Sequence, residues 1–152
     1  MHRRPRLILA VPLAAAPILA GCASAVDVEP GPAAADPACA RVMVAVRSDG
    51  FAELGGRERR TTTSQSTAAW GDPPVVLRCG VEPPGPTTDP CVGIVGVDWV
   101  ATRPGDVTVF TTYGRAPAVE VTFPDTDGEG PDAVLAALGP VVADLPQDRQ
   151  CL

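Results

Sequence analysis

Few residues of this chain are of the types that carry enzyme chemistry. The sequence contains one histidine, at position 2, and its 12 positively charged residues are all arginine. Nucleophilic triads need a histidine, whereas Schiff bases and phosphate loops of the Walker type need a lysine. Because the segment that contains His2 is predicted below to be cleaved, the mature chain is expected to lack these chemistries. We therefore expect no cofactor, no metal site and no catalytic residue.

Carboxylates are the best remaining basis for catalysis. Glycoside hydrolysis needs two acids about 5–9.5 Å apart. Asp72, Glu82, Asp98 and Asp106 are candidates by position alone, and 18 acidic residues make chance pairs common. The acidic run at 125–130 looks like the start of a calcium loop, but its twelfth position is Ala136, not glutamate. This run is interpreted as a solvated turn, and the protein as non-enzymatic.

A polar stretch at residues 59–72 is the most unusual segment. It combines arginines, a run of threonines and serines, a glutamine and Trp70. Hydroxyls, an amide and an indole suit a sugar or a peptide, so Gln65, Trp70, Asp72 and Arg78 are the tentative ligand-binding residues. The competing and more common outcome is a surface loop in which Trp70 packs on the edge of the core. Arg78 could also meet Asp98 across a sheet.

The first 22 residues read as an export signal. An arginine-rich start precedes an apolar run at 7–19, which is too short for a membrane-spanning helix. The run ends in Leu-Ala-Gly-Cys, which resembles the bacterial lipobox, so Cys22 is predicted to be the lipid-attachment site and the mature N-terminus. Export by the general or the twin-arginine route stays open. Cleavage of residues 1–21 removes three arginines and leaves 9 arginines against 18 acidic groups, which is a formal charge of −9. This negative charge argues against nucleic acid as a binding partner.

The other four cysteines agree with export. Cys39, Cys79, Cys91 and Cys151 form an even set, without a Cys-x-x-Cys motif, as in exported domains with two disulfides. Three pairings are possible. The pairs Cys79–Cys91 and Cys39–Cys151 are preferred, because the first would close the proline-rich loop at 82–90 and the second would join the two ends of the domain.

The elements that position these residues can be read from hydrophobic patterns. Asp36-Pro37 starts a helix, strict alternation follows at 75–81, and a second helix begins at Pro131. Further strands are predicted at 94–102, 107–113 and 118–123. The predicted fold is α+β, with a four-stranded, mainly antiparallel sheet and two helices on one face, in the order α-β-β-β-β-α. The predicted organisation is a signal peptide (1–21), a lipidated tether (22–35) and one domain (36–152).

Several motifs resemble a known family. Residues 64–80 read SQSTAAWGDPPVVLRCG, and Pro-Cys-Val at 90–92, Val-Asp-Trp at 97–99, Thr-Thr-Tyr-Gly-Arg at 111–115 and Pro-Ala-Val-Glu-Val at 117–121 follow. With the final Cys-Leu, they make the chain similar, from Pro37 to Leu152, to small actinobacterial exported proteins and lipoproteins catalogued as domain of unknown function 3515. The resemblance implies no mechanism, because the family has no established activity.

The favoured function follows from these features together. We expect a lipid-anchored protein on the extracytoplasmic face of the cell membrane, acting as a non-enzymatic binding or accessory module. Its expected partner is an envelope protein or a peptidoglycan or glycan fragment. The alternative is a carboxylate-based hydrolase of cell-wall sugars.

Overall fold

The structure is a computed structural model that describes residues 24–125 and 130–152. The signal peptide and Cys22 lie outside the described residues, as does most of the acidic turn at 125–130. The elements are α1 (Pro37–Val46), a 3-10 turn (Asp49–Phe51), β1 (Glu53–Leu54), β2 (Arg57–Arg60), β3 (Thr67–Trp70), β4 (Val75–Val81), β5 (Cys91–Ile94), β6 (Val97–Thr102), β7 (Val107–Thr112), β8 (Ala118–Pro124) and α2 (Pro131–Val142).

One antiparallel sheet of eight strands dominates the fold. The strand order is β1-β2-β3-β4-β8-β7-β6-β5. The strands β6, β7 and β8 form the predicted antiparallel meander, and β8 pairs with β4 at the centre of the sheet. The prediction of a four-stranded sheet with two helices on one face is wrong: the sheet has twice as many strands, and the helices stand at the two ends of the element order.

Two features of the sequence explain why four of the eight strands were not predicted. The strands β1, β2 and β3 have two or four residues each and no apolar alternation, so hydrophobic patterns predict no strand between residues 53 and 70. The predicted strand at 94–102 is in fact a hairpin. Its turn is formed by Val95 and Gly96, which have positive φ angles of 48° and 74°. A valine is rare in this conformation, and its presence removed the usual glycine or asparagine signal.

The helix α1 begins where the sequence predicts. The Asp36 carboxylate accepts a hydrogen bond from the backbone N–H of Ala38 (2.7 Å), and Pro37 occupies the first turn. Its buried face carries Cys39, Val42, Met43 and Val46. The core joins both helices to the sheet and includes the wholly buried Trp70 and Trp99. In the described part of the chain, no helix is long and apolar enough to cross a membrane.

The prediction of two disulfides is confirmed, but the preferred pairing is wrong. Cys39 pairs with Cys79 (Cα–Cα 5.5 Å), and Cys91 pairs with Cys151 (Cα–Cα 6.0 Å). The first bond joins the buried face of α1 to β4. The second joins the start of β5 to the end of the chain. Both depend on which elements pack together, which the loop lengths used to choose a pairing do not reveal.

The segment before α1 lies along the domain. The Val26 N–H donates to the carbonyl of Thr61 (2.8 Å), and the Thr63 N–H donates to the carbonyl of Val26 (3.1 Å). Further along, Gly31 packs so closely on Gly80 that a Cβ on Gly31 would overlap the Gly80 carbonyl. The lipidated tether at 22–35 stays a prediction, but any free part of it would end at Val26.

Candidate functional site

An arginine-lined cavity of about 360 Å³ opens where α1, β2 and β3 meet. Arg47 follows the last residue of α1, whereas Arg59 and Arg60 are the last two residues of β2. The other lining residues are small or hydroxylated: Thr61, Thr62, Thr67 and Ala68. This cavity is called the arginine cavity below. Arg47 and Arg59 bring two cations to the end of α1 beside this opening, which makes it the best candidate for a binding site.

Backbone carbonyls hold two of these arginines in place. Arg47 Nη2 donates to the carbonyl of Gln65 (2.9 Å). Arg59 Nη1 donates to the carbonyls of Ser48 (3.1 Å) and Val46 (3.4 Å) at the end of α1. A cation at this position also interacts favourably with the negative end of the helix dipole. Both side chains are therefore oriented before any ligand arrives.

Backbone carbonyls also hold Arg60, whose side chain leaves the other face of β2. Its Nη1 donates to the carbonyl of Gly71 (3.2 Å), and its Nη2 donates to the carbonyl of Ser24 (3.1 Å). The Asp72 carboxylate lies 4.0 Å from Nη1, but its side chain is 88% exposed, so this ion pair is weak. Arg60 thus connects the arginine cavity to the first described residues of the chain.

The arginine cavity carries an excess of positive charge. Within the described ranges, no carboxylate oxygen lies within 4.0 Å of a nitrogen of Arg47 or Arg59. Carbonyl partners do not neutralise a guanidinium, and each guanidinium has five N–H donors. The hydrogen bonds described above use at most two nitrogens of each. The remaining donors can bind a phosphate, sulfate or carboxylate, the anions for which arginine is best suited.

Two threonines that line the cavity are held by hydrogen bonds to the backbone. Thr62 Oγ1 donates to the carbonyls of Ser64 and Thr67 (both 3.1 Å), and Thr67 Oγ1 donates to the carbonyl of Ser64 (2.9 Å). Thr61 is exposed, and within the described residues its hydroxyl makes no hydrogen bond. Thr61 is therefore the hydroxyl most available to a ligand in the cavity.

A second groove adjoins the arginine cavity across Arg47. Its volume is about 330 Å³, and Met43, Val44, Gln65 and Ser66 are among its lining residues. Val44 is 75% exposed, although it belongs to α1. The two openings together form one surface, with a charged half and a more apolar half.

The structure separates the four residues predicted to bind a ligand. The interpretation of Trp70 as an accessible plate is wrong, because Trp70 is wholly buried and its Nε1 donates to the carbonyl of Phe51 (2.9 Å). Gln65 lies before β3 and Asp72 after it, so they stand at opposite ends of that strand. Only Gln65 reaches the surface described above.

The fourth predicted residue, Arg78, is occupied elsewhere. Its Nη1 donates to the Glu120 carboxylate on the neighbouring strand (3.1 Å), and its Nε donates to the carbonyl of Glu29 (3.1 Å). The predicted contact of Arg78 with Asp98 is wrong, because Arg78 pairs with Glu120 in the register of β4 and β8. The Asp98 carboxylate accepts instead from the Cys151 N–H (3.0 Å).

In the described part of the chain, no acidic residue lines the arginine cavity. A different opening, of about 390 Å³, is lined by both Asp36 and Glu82, but Asp36 is engaged as the cap of α1. Among residues 24–125 and 130–152, no group of three or more histidine, cysteine, aspartate or glutamate side chains could hold a metal ion.

Sequence patterns do not reveal the arginine cavity, because its residues come from separate elements. Arg59 pairs with Trp70 and Arg60 with Ala69 in the register of β2 and β3, so the two side chains leave opposite faces of the strand. Arg47 meets Arg59 only because α1 packs against β3. The one available signal was the density of arginines at 57–60.

Comparison with known proteins identifies one relationship. A family model described as "Protein of unknown function (DUF3515)" matches residues 6–150. No curated protein and no solved structure matches the chain.

Proposed function

The chain belongs to the DUF3515 family, whose function is unknown, and we propose that it is a non-enzymatic, lipid-anchored protein of the cell envelope that binds an anionic ligand in the arginine cavity. The single observation that carries the binding proposal is the pair Arg47 and Arg59 beside the cavity, neither of which has a carboxylate within 4.0 Å in the described ranges. The lipobox-like sequence before Cys22 supports the anchor. The two disulfides support an oxidising compartment outside the cytoplasm.

The class of ligand follows from the donors. Guanidinium groups bind planar carboxylates and phosphates through paired N–H donors, and Thr61 adds a hydroxyl. Peptidoglycan fragments carry carboxylates, and many envelope molecules carry phosphates, so both remain within this class. Neutral sugars lack the charge that the cavity selects. The adjoining groove at Met43 and Val44 offers apolar contact to a larger ligand or to a partner protein.

Ligand binding can be tested with two small probes. We expect inorganic phosphate to shift the backbone amide signals of residues 59–68 in NMR spectra, and the neutral sugar chitotetraose to leave them unchanged. Arg47→Gln should weaken phosphate binding about tenfold, the effect of losing one charge-assisted hydrogen bond. Arg103→Gln is the matched control, because Arg103 is exposed in the turn between β6 and β7. Equal shifts with both probes, or none with phosphate, would contradict an anion site.

The lipid anchor has its own test. The intact mass of the protein from the membrane fraction of its host should equal that of residues 22–152 plus a diacylglyceryl group on Cys22, with two disulfides. Peptide mapping without reduction should join Cys39 to Cys79. An uncleaved chain with free thiols would overturn the envelope assignment and leave the phosphate result to be interpreted in another compartment.

A further inference from the structure

We propose that the anion bound by the arginine cavity is the phosphate of the membrane lipids in which Cys22 is anchored, so that this face of the domain docks on the bilayer. The proposal deepens the function proposed above and rests on its lipid anchor. Two independent observations carry it: the place where the chain enters the domain, and the distribution of charge around that place.

The chain enters the domain beside the arginine cavity. Val26 is bridged to Thr62, which lines the cavity, and Arg60 donates to the carbonyl of Ser24. The anchor and the cavity are therefore connected by the same few residues. A membrane that holds the lipid on Cys22 therefore also keeps the arginine cavity near its surface.

The chain between Cys22 and the domain is short. Val26 is four residues after Cys22. Four residues reach at most about 14 Å when fully extended. A compact domain of about 130 residues has a radius of gyration near 14 Å and is about 36 Å across. The domain is therefore wider than its link is long, and the side that carries Val26 must stay near the membrane surface.

The charges favour the same orientation. The lipidated chain has a formal charge of −9, so an anionic membrane repels most of its surface. Arg47 and Arg59 have no carboxylate within 4.0 Å among the described residues, so they are the cations that can face the membrane, whereas the entering segment carries the acidic Asp27 and Glu29. A basic group acts on an anionic membrane only within about a Debye length, near 8 Å at physiological ionic strength. The link can reach about 14 Å, so it allows the cavity to come within that range, and the attraction of Arg47 and Arg59 must hold it there.

The expected strength can be stated as a ratio. Each basic side chain near an anionic membrane strengthens binding by about fivefold. Arg47 and Arg59 together would raise the ratio of docked to undocked domain by about 25-fold.

The test uses the acylated protein in vesicles. Amide hydrogen exchange of residues 61–66 is measured in phosphatidylglycerol vesicles, in phosphatidylcholine vesicles, and in phosphatidylcholine vesicles with inorganic phosphate. We expect slower exchange in phosphatidylglycerol than in phosphatidylcholine, and loss of the difference in 1 M salt, where the Debye length is about 3 Å. Arg47→Gln should reduce this protection about fivefold, and Arg47→Lys should restore most of it.

The variants separate docking from folding. Arg47 makes one hydrogen bond, to a loop carbonyl, so Arg47→Gln is the mildest change in the cavity, and Arg103→Gln is the matched control. Equal protection in both lipids overturns the docking proposal. Protection by inorganic phosphate without any effect of phosphatidylglycerol also overturns it and leaves the anion site standing. Protection by neither contradicts both proposals.

Discussion

Replacing Cys39 and Cys79 together by alanine is expected to lower the free energy of unfolding by about 4–5 kcal/mol. The disulfide closes a sequence separation of 40 residues, for which the loop-entropy relation gives about 4 kcal/mol. Both cysteines are also buried, at 1% and 0% exposure, so their truncation leaves unfilled volume in the core. For a domain of about 130 residues this corresponds to a fall in Tm of about 15 °C, measurable by calorimetry.

The second disulfide provides the matched comparison. Cys91–Cys151 spans a separation of 60 residues, but both of its residues are partly exposed. Loop entropy alone would make its loss slightly more costly than that of Cys39–Cys79. We expect the opposite order, by about 1 kcal/mol, because only the Cys39–Cys79 pair fills the core. If Cys39→Ala with Cys79→Ala has little effect on Tm, the bond between α1 and β4 does not form.

Local sequence patterns predicted the parts of the fold in which burial alternates along a strand or a capping residue marks the start of a helix. The alternation of Val75, Leu77 and Cys79 matches the buried face of β4, and Asp36-Pro37 marks the start of α1. The strand β3 is different. All four of its residues are buried, so it shows no alternation that could reveal a strand.

The disulfide pairing and the arginine cavity depend on contacts between elements that are distant in the sequence. The pairing of Cys39 with Cys79 requires α1 to lie over β4, and the arginine cavity requires α1 to lie beside β3. Trp70 gave an ambiguous signal, because an indole suits a sugar site and a core equally well. Its hydrogen bond to Phe51 and its complete burial decide for the core. A Trp70→Ala variant would therefore report on folding rather than on binding.

Replacing Arg115 by methionine is expected to destabilise the domain by about 3–5 kcal/mol, because it leaves several buried carbonyl acceptors without a donor. Arg115 is only 3% exposed. Its Nη1 donates to the carbonyls of Ala143 (2.8 Å) and Leu145 (2.6 Å), and its Nη2 donates to Gln147 Oε1 (3.1 Å) and the carbonyl of Gly96 (3.3 Å). Methionine fills similar space but leaves these acceptors without a donor.

The charge of Arg115 is compensated at a distance. Burial lowers the pKa of its guanidinium from the usual value, and the carboxylates of Asp98 and Asp144 act in the opposite direction. Arginine nevertheless stays charged at any pH at which the protein would be studied. Arg115→Lys keeps the charge but not the planar fork, so it should recover only about half of the lost stability. Urea denaturation measures both variants, and Arg103→Met, at an exposed site, should change stability by less than about 0.5 kcal/mol.

The effect of Arg115 should be coupled to the second disulfide. Arg115 holds residues 143–147 against the turn between β5 and β6, and Cys151 follows four residues later to meet Cys91. Both therefore fix the same end of the chain. Combining Arg115→Met with the loss of Cys91–Cys151 should cost less than the sum of the separate changes, whereas combining it with the loss of Cys39–Cys79 should be closer to additive. Equal coupling to both disulfides would mean that Arg115 stabilises the whole core rather than the end of the chain.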